Sequence, residues 1–207
     1  MKEAKLIDYL DSLQEQGIPG CDCVIYKDHE EVFRHTTGFA DHQMTKPLTK
    51  SNTYWLYSAS KVITCTALMQ LVDKGSIGLD DPVSKYLPEC KEMMVKEGSS
   101  VRKAENAMTI RHLLTMQSGL NYDLMAPSIR KLLKEKDNKA TTREIIGALA
   151  NEPLDFEPGT RYQYSLSHDV LGAVIEVVSG QSFGEYLYEN IFKPLGMKNT
   201  GFKWTPE

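Results

Sequence analysis

Apolar residues recur at helical spacing in the first segment, where Leu6, Leu10 and Leu13 mark one face and the run stops at Gly17, Pro19 and Gly20. That pattern predicts an amphipathic helix closed by a loop. The period then shortens. Segments 21–28 (CDCVIYKD) and 30–41 (EEVFRHTTGFAD) flank a polar turn around His29 and Glu30, which reads as an antiparallel hairpin. A polar loop over 42–53 leads to residues 55–72, WLYSASKVITCTALMQLV, which are apolar on nearly every side. Val62, Cys65, Met69 and Val72 form one stripe at helical spacing, and Ile63, Ala67, Leu68 and Leu71 fill much of the remainder. A helix buried in a core and ended by Gly75 is expected here.

Beyond it the pattern stays mostly helical. A turn-rich stretch over 76–89 holds a short helical piece at Val83 to Leu87, and 108–120 (MTIRHLLTMQSGL) predicts a helix from near Thr109 to Gly119. Residues 128–150 alternate charges in the manner of a solvated helical face. Residues 153–165 (PLDFEPGTRYQYS) form a loop, 169–180 an amphipathic helix ended by Gly180, 182–197 another helix, and 201–205 (GFKWT) the start of a strand. The fold class is therefore α/β in the α+β sense, divided into a helix-and-hairpin part over 1–57 and a mainly helical part over 58–207. A two-stranded hairpin is marginal alone, and its free edges call for further strands, a covering element or a second copy of the chain.

Against this pattern Lys61 is the odd residue. It lies three positions after Ser58 at the start of an apolar helix, where residues i and i+3 share a face with Cβ atoms about 5–6 Å apart. The positive end of the helix macrodipole and burial both disfavour an ammonium there, so the pKa of Lys61 is expected to fall. A neutral amine beside a hydroxyl can accept or relay its proton. The plainer reading makes Ser58 a helix N-cap. Ser100 to Lys103 and Ser128 to Lys131 show the same S-x-x-K spacing, but in charged stretches where lysine reads as a solvated side chain.

Composition narrows the function classes. With 207 residues, 41% hydrophobic and 25% charged, the chain can bury one sizeable core or two small ones. A net charge of -4 gives no reason to expect nucleic acid or an anionic membrane as partner. The N-terminal segment carries charges through its apolar positions, unlike a signal peptide, so the expected location is cytoplasmic, where the chain is made. Cys21, Cys23, Cys65 and Cys90 do not resemble a disulfide framework for this size. His29, His35 and His42 match no zinc spacing, and no metal or organic cofactor is expected. His112 reads as a structural hydrogen-bonding residue.

Several segments, in order, carry a resemblance: GFAD after the hairpin, YSASK at Ser58, GSIGLDDPVSKYLPE, MTIRHLLTMQSGL, PGTRYQYSLSHDVLGAVIEVVSGQSFGEYL and FKPLGMKNTGF. Together they resemble the serine β-lactamase and penicillin-binding-protein superfamily, in the class C-like branch that includes family VIII esterases and D-amino-acid-specific peptidases. The resemblance implies Ser58 as nucleophile, Lys61 as its partner, and Tyr164, after Pro158-Gly159-Thr160, as the general base of the family's Tyr-x-Asn motif. The third motif position is Leu166 rather than asparagine, which removes an amide and moves the reading towards esters; Ser165 or Ser167 could compensate. Tyr188-Glu189-Asn190 fits the motif literally but falls on a later helix and is read as packing or surface.

The family's third motif, a Lys-Thr-Gly or His-x-Gly strand that supplies part of the oxyanion hole, has no counterpart here. The resemblance thus implies a shortened form whose remaining strands lie elsewhere, with a cleft between sheet and helices. Expected partners are a small-molecule ester, β-lactam or peptide-like substrate. The alternative is an inactive or penicillin-recognising fragment that acts as a binding or sensor module.

Overall fold

The computed structural model describes residues 2–202, which fall into two compact units that divide between Trp55 and Leu56. In the first, helix α1 (Lys2–Ser12) runs into a single 3-10 turn at Leu13–Gln16 and stops at Gly17, whose φ of 86° suits a residue without a Cβ. Strands β1 (Gly20–Lys27) and β2 (Glu30–Gly38) form the expected antiparallel hairpin, closed by Asp28 and His29, both at positive φ. Such a two-residue turn matches the strand twist. Arg34 grips Asp22 across the hairpin with Nε 3.1 Å and Nη2 2.5 Å from the two carboxylate oxygens, and His35 reaches Asp11 on α1 at 2.8 Å. Val24, Ile25, Tyr26 and Val32 remain exposed.

The second unit is built around α6 (Ser167–Ser179), which buries Val170, Leu171, Ala173, Val174 and Ile175. This helix is apolar nearly all round rather than amphipathic, as befits a core element. Around it pack α2 (Ser60–Asp73), α3 (Ile110–Leu114), α5 (Thr142–Leu149) and α7 (Phe183–Leu187), with α4 (Pro127–Glu135) against α5. The α7 helix widens into a π turn over Tyr188–Phe192. A second hairpin, β3 (Met94–Glu97) with β4 (Ser100–Lys103), falls in a stretch whose charges hide it from a periodicity search. The strand expected over 201–205 lies mostly outside the described residues.

Two further expectations change here. The helix expected from Thr109 to Gly119 closes after Leu114, because Met116 adopts a φ of 56° and turns the chain away. The α2 helix is only half buried. Thr64, Ala67, Leu68 and Leu71 face the core, while the expected stripe is split: Val62 is 70% and Met69 36% exposed, and Cys65 and Val72 are half-buried, Val72 against the core. Periodicity identifies stripes, and where several are apolar it does not rank them.

Candidate active site

Ser58 lies in a 3-10 turn, Tyr57–Ala59, that leads directly into α2 and Lys61. The residue before it, Tyr57, holds a φ of 44° with its side chain 83% exposed. A left-handed aromatic residue costs roughly 1–2 kcal/mol, and no packing of the ring offsets it. The strained residue immediately precedes Ser58, at the point where the chain turns into the helix.

Tyr164 arrives from the other side. Its loop is pinned at successive points: Glu157 accepts from the N–H groups of Glu105 and Asn106 and from Arg102 Nη1 at 2.5 Å, and Gly159 N–H donates to Gln117 O at 2.8 Å. Gly159, at φ 85°, lies flat against His112, where an added Cβ would come 2.8 Å from Nε2. His112 in turn closes a capping box on α3, its Nδ1 accepting from Thr109 N–H at 3.3 Å, the structural role expected of it. Gln163 N–H then donates to Met116 O (2.9 Å) and Leu166 N–H to Asn121 O (3.0 Å). The loop thus runs beside residues 116–121 and delivers one side chain outward between two anchored neighbours.

The three expected residues meet. Ser58 Oγ and the Tyr164 hydroxyl share a hydrogen bond of 2.5 Å, and Lys61 Nζ donates to Ser58 Oγ at 3.4 Å. Lys61 Nζ also lies 4.8 Å from the centre of the Tyr164 ring. The Lys61 ammonium and then the Ser58 hydroxyl hold the Tyr164 phenol below its ordinary pKa, against a smaller opposing effect of burial. For Lys61, burial pulls the pKa down, but Tyr164, Tyr122 and Asp169 together outweigh it and the net direction is up. The expected neutral amine is therefore corrected. In this setting Lys61 is an ammonium placed to favour ionisation of the neighbouring phenol. The site is also open to water, with Ser58 exposed and Tyr164 40% exposed.

The other S-x-x-K pairs come apart. Ser100 and Lys103 sit on strand β4, where residues three apart point to opposite faces; Ser100 Oγ donates to Glu97 O and Lys103 pairs with Glu92. Ser128 and Lys131 share helix α4, yet Lys131 is solvated and Ser128 Oγ has no partner among the described residues. Leu166 is a core residue at 4% exposure. Neither Ser165 nor Ser167 replaces the missing amide, since both are fully buried in a hydroxyl cluster with Ser118. Tyr188 is 53% exposed on the π turn.

One neighbour was not visible in the sequence. Tyr122 stacks on Tyr164 with ring centres 5.2 Å apart, and Lys61 Nζ lies 5.4 Å from its centre. It belongs to no periodic pattern, and only the turn at Gly119 (φ 85°) marks its segment as one that changes direction. Among the described residues no group of three or more His, Cys, Asp or Glu could hold a metal ion, and no helix is long and apolar enough to cross a membrane.

A family profile described as Beta-lactamase matches residues 6–207. The chain belongs to the β-lactamase family. Esterase EstB of Burkholderia gladioli is 35% identical over 197 residues, covering 92% of this chain and 49% of that protein. Among solved structures, EstCE1, described as a hydrolase with promiscuous acyltransferase activity, superposes with a TM-score of 0.83 at 31% identity over 98% of this chain and 54% of its own. The octameric penicillin-binding protein homologue from Pyrococcus abyssi gives 0.74 at 29%, over 96% and 44%. The chain therefore spans about half the length of these relatives, and over that span its fold is that of β-lactamase-like and transpeptidase-like proteins.

Proposed function

We propose that the chain is the nucleophile-bearing portion of a serine hydrolase that works through an acyl-enzyme. The observation that carries this reading is the convergence of Ser58 Oγ on both the Tyr164 hydroxyl and Lys61 Nζ. The Tyr164 phenolate takes the Ser58 proton as Oγ attacks a carbonyl carbon, and the Oγ–C bond forms. The same phenol then returns the proton to the leaving group as its bond to the acyl carbon breaks. Water, or another hydroxyl acceptor, releases the acyl group by the reverse of these steps. Lys61 balances the negative charge throughout.

Carboxylic esters are the favoured substrate class. The buried Leu166 and the buried Ser165 and Ser167 leave no polar side chain where the family's asparagine would hold an amide, and the description of EstB as an esterase points the same way. Hydrolysis of short-chain p-nitrophenyl esters compared with a chromogenic cephalosporin tests the choice, with Ser58→Ala as control. Turnover of the cephalosporin alone would overturn the ester reading. Labelling of Ser58 without turnover of either would favour a binding module. If neither substrate is turned over and a fluorophosphonate leaves Ser58 unlabelled, the hydrolase reading fails.

A further inference from the structure

Tyr122 is placed more carefully than a surface residue needs. Its segment is tied on both sides: Leu120 N–H donates to Ser118 Oγ at 3.1 Å, Asp155 N–H to Gly119 O at 2.8 Å, and Asp123 N–H to Asn121 Oδ1 at 3.1 Å. The bond from Leu166 N–H to Asn121 O joins the residue beside Tyr122 to one two positions past Tyr164, so the two rings are set by a shared backbone link. Core packing does not explain the ring, which is 46% exposed. Nor does its hydroxyl, which has no hydrogen-bond partner among the described residues. What the ring touches is the Tyr164 ring, tilted by 35°, and the Lys61 ammonium. A cation within about 6 Å of an aromatic centre is attracted to the electron-rich face.

We propose that Tyr122 is a positioning residue of the nucleophile centre: its ring and that of Tyr164 form a two-ring clamp that holds the Lys61 ammonium over the phenol. The proposal rests on the hydrolase reading for its consequence, but the clamp itself is a property of the folded chain. Loss of the Tyr122 ring leaves Lys61 held on one side only, so the ammonium supports the Tyr164 phenolate less well and a higher pH is needed to form it. The other titratable groups that interact with the ammonium are His168 and Asp169, both on α6. Substitution of Tyr122 leaves both in place, so they serve as a fixed background. The ring alone is required, and phenylalanine should serve in place of tyrosine.

The test titrates the intact chain carrying ¹³C at tyrosine Cζ, with Tyr164→Phe used to assign the Tyr164 signal, and follows fluorophosphonate labelling of Ser58 across the same pH range. Tyr122→Leu is expected to move the Tyr164 midpoint upward and to slow labelling on the acid side by about two- to fivefold. Tyr122→Phe is expected to match the parent in both. Should Tyr122→Leu not fold, Tyr122→Met is read in its place. A Tyr164 midpoint unmoved in the Leu or Met variant overturns the proposal, as does a Phe variant that shifts as far as Leu. If the midpoint moves but Ser58 never labels even in the parent chain, the clamp stands and the hydrolase reading falls.

Discussion

Tyr164 and Ser165 are neighbours in the chain, yet their hydroxyls belong to two clusters of opposite character. Tyr164 meets Ser58 at 2.5 Å and lies 40% exposed beside an ammonium. Ser165 meets Ser167 at 2.7 Å, Ser167 meets Ser118 at 2.7 Å, and all three are at most 1% exposed with no charge among them. The buried cluster also accepts from the N–H groups of Leu120 and Ser167. Its hydroxyls are satisfied by one another, by backbone N–H groups and by Met116 Sδ, to which Ser165 Oγ donates at 3.6 Å, which is what burial demands of polar groups. The outer cluster contains the same kind of oxygen with a proton acceptor of lowered pKa and a cation within reach. The difference teaches that a hydroxyl is made ready for proton transfer by the charge placed beside it, while the buried triplet ties together the segments that carry Tyr164 and Tyr122.

Substitutions sharpen that contrast. The largest effect is expected from Tyr164→Phe, which removes the proton acceptor and should slow Ser58 acylation by about 10²- to 10⁴-fold, the usual range for a general base, with the melting temperature little changed. Stopped-flow release of p-nitrophenol, or loss of fluorophosphonate labelling, reads it directly. Lys61→Met should slow acylation by a smaller factor and move the acid limb of the pH profile upward, since the phenolate loses its cation.

Ser167→Ala addresses the other cluster. It leaves the hydroxyls of Ser118 and Ser165 without their shared partner and should cost about 1–3 kcal/mol of stability by urea unfolding, with acylation per folded molecule preserved within about twofold. A large loss of acylation without loss of stability would erase the distinction between the clusters. The smallest effect belongs to Tyr57→Gly. Release of the left-handed strain should change stability by no more than about 1 kcal/mol, while Ser58 labelling slows because the presentation of the hydroxyl is no longer fixed.

What the sequence made legible follows the same division. Ser58, Lys61 and Tyr164 lie in motifs whose spacing is local, three residues in one case and a Pro-Gly-Thr lead in the other, so their meeting could be expected before any coordinates. The protonation of Lys61 could not. The upward direction of its pKa depends on Tyr164, Tyr122 and Asp169, distant in the chain and brought in by folding that no local pattern records. The β3–β4 hairpin was hidden for a related reason: of its eight residues only Val95 is buried, so no alternation of apolar positions marks it. The outer face of α2 was misjudged because apolar residues line that helix on both sides, and only the core itself decides which side it takes.

The pH dependence of Ser58 acylation tests the central claim most directly, since the phenolate and the ammonium titrate from opposite ends. With Tyr164 held below the ordinary phenol value of about 10 and Lys61 raised above its own, acylation should rise with pH as Tyr164 ionises and fall only where Lys61 loses its proton. In Tyr164→Phe the rising limb should vanish. A rising limb that persists in Tyr164→Phe, or acylation that rises as Lys61 deprotonates, would show that the amine is the base and contradict the account.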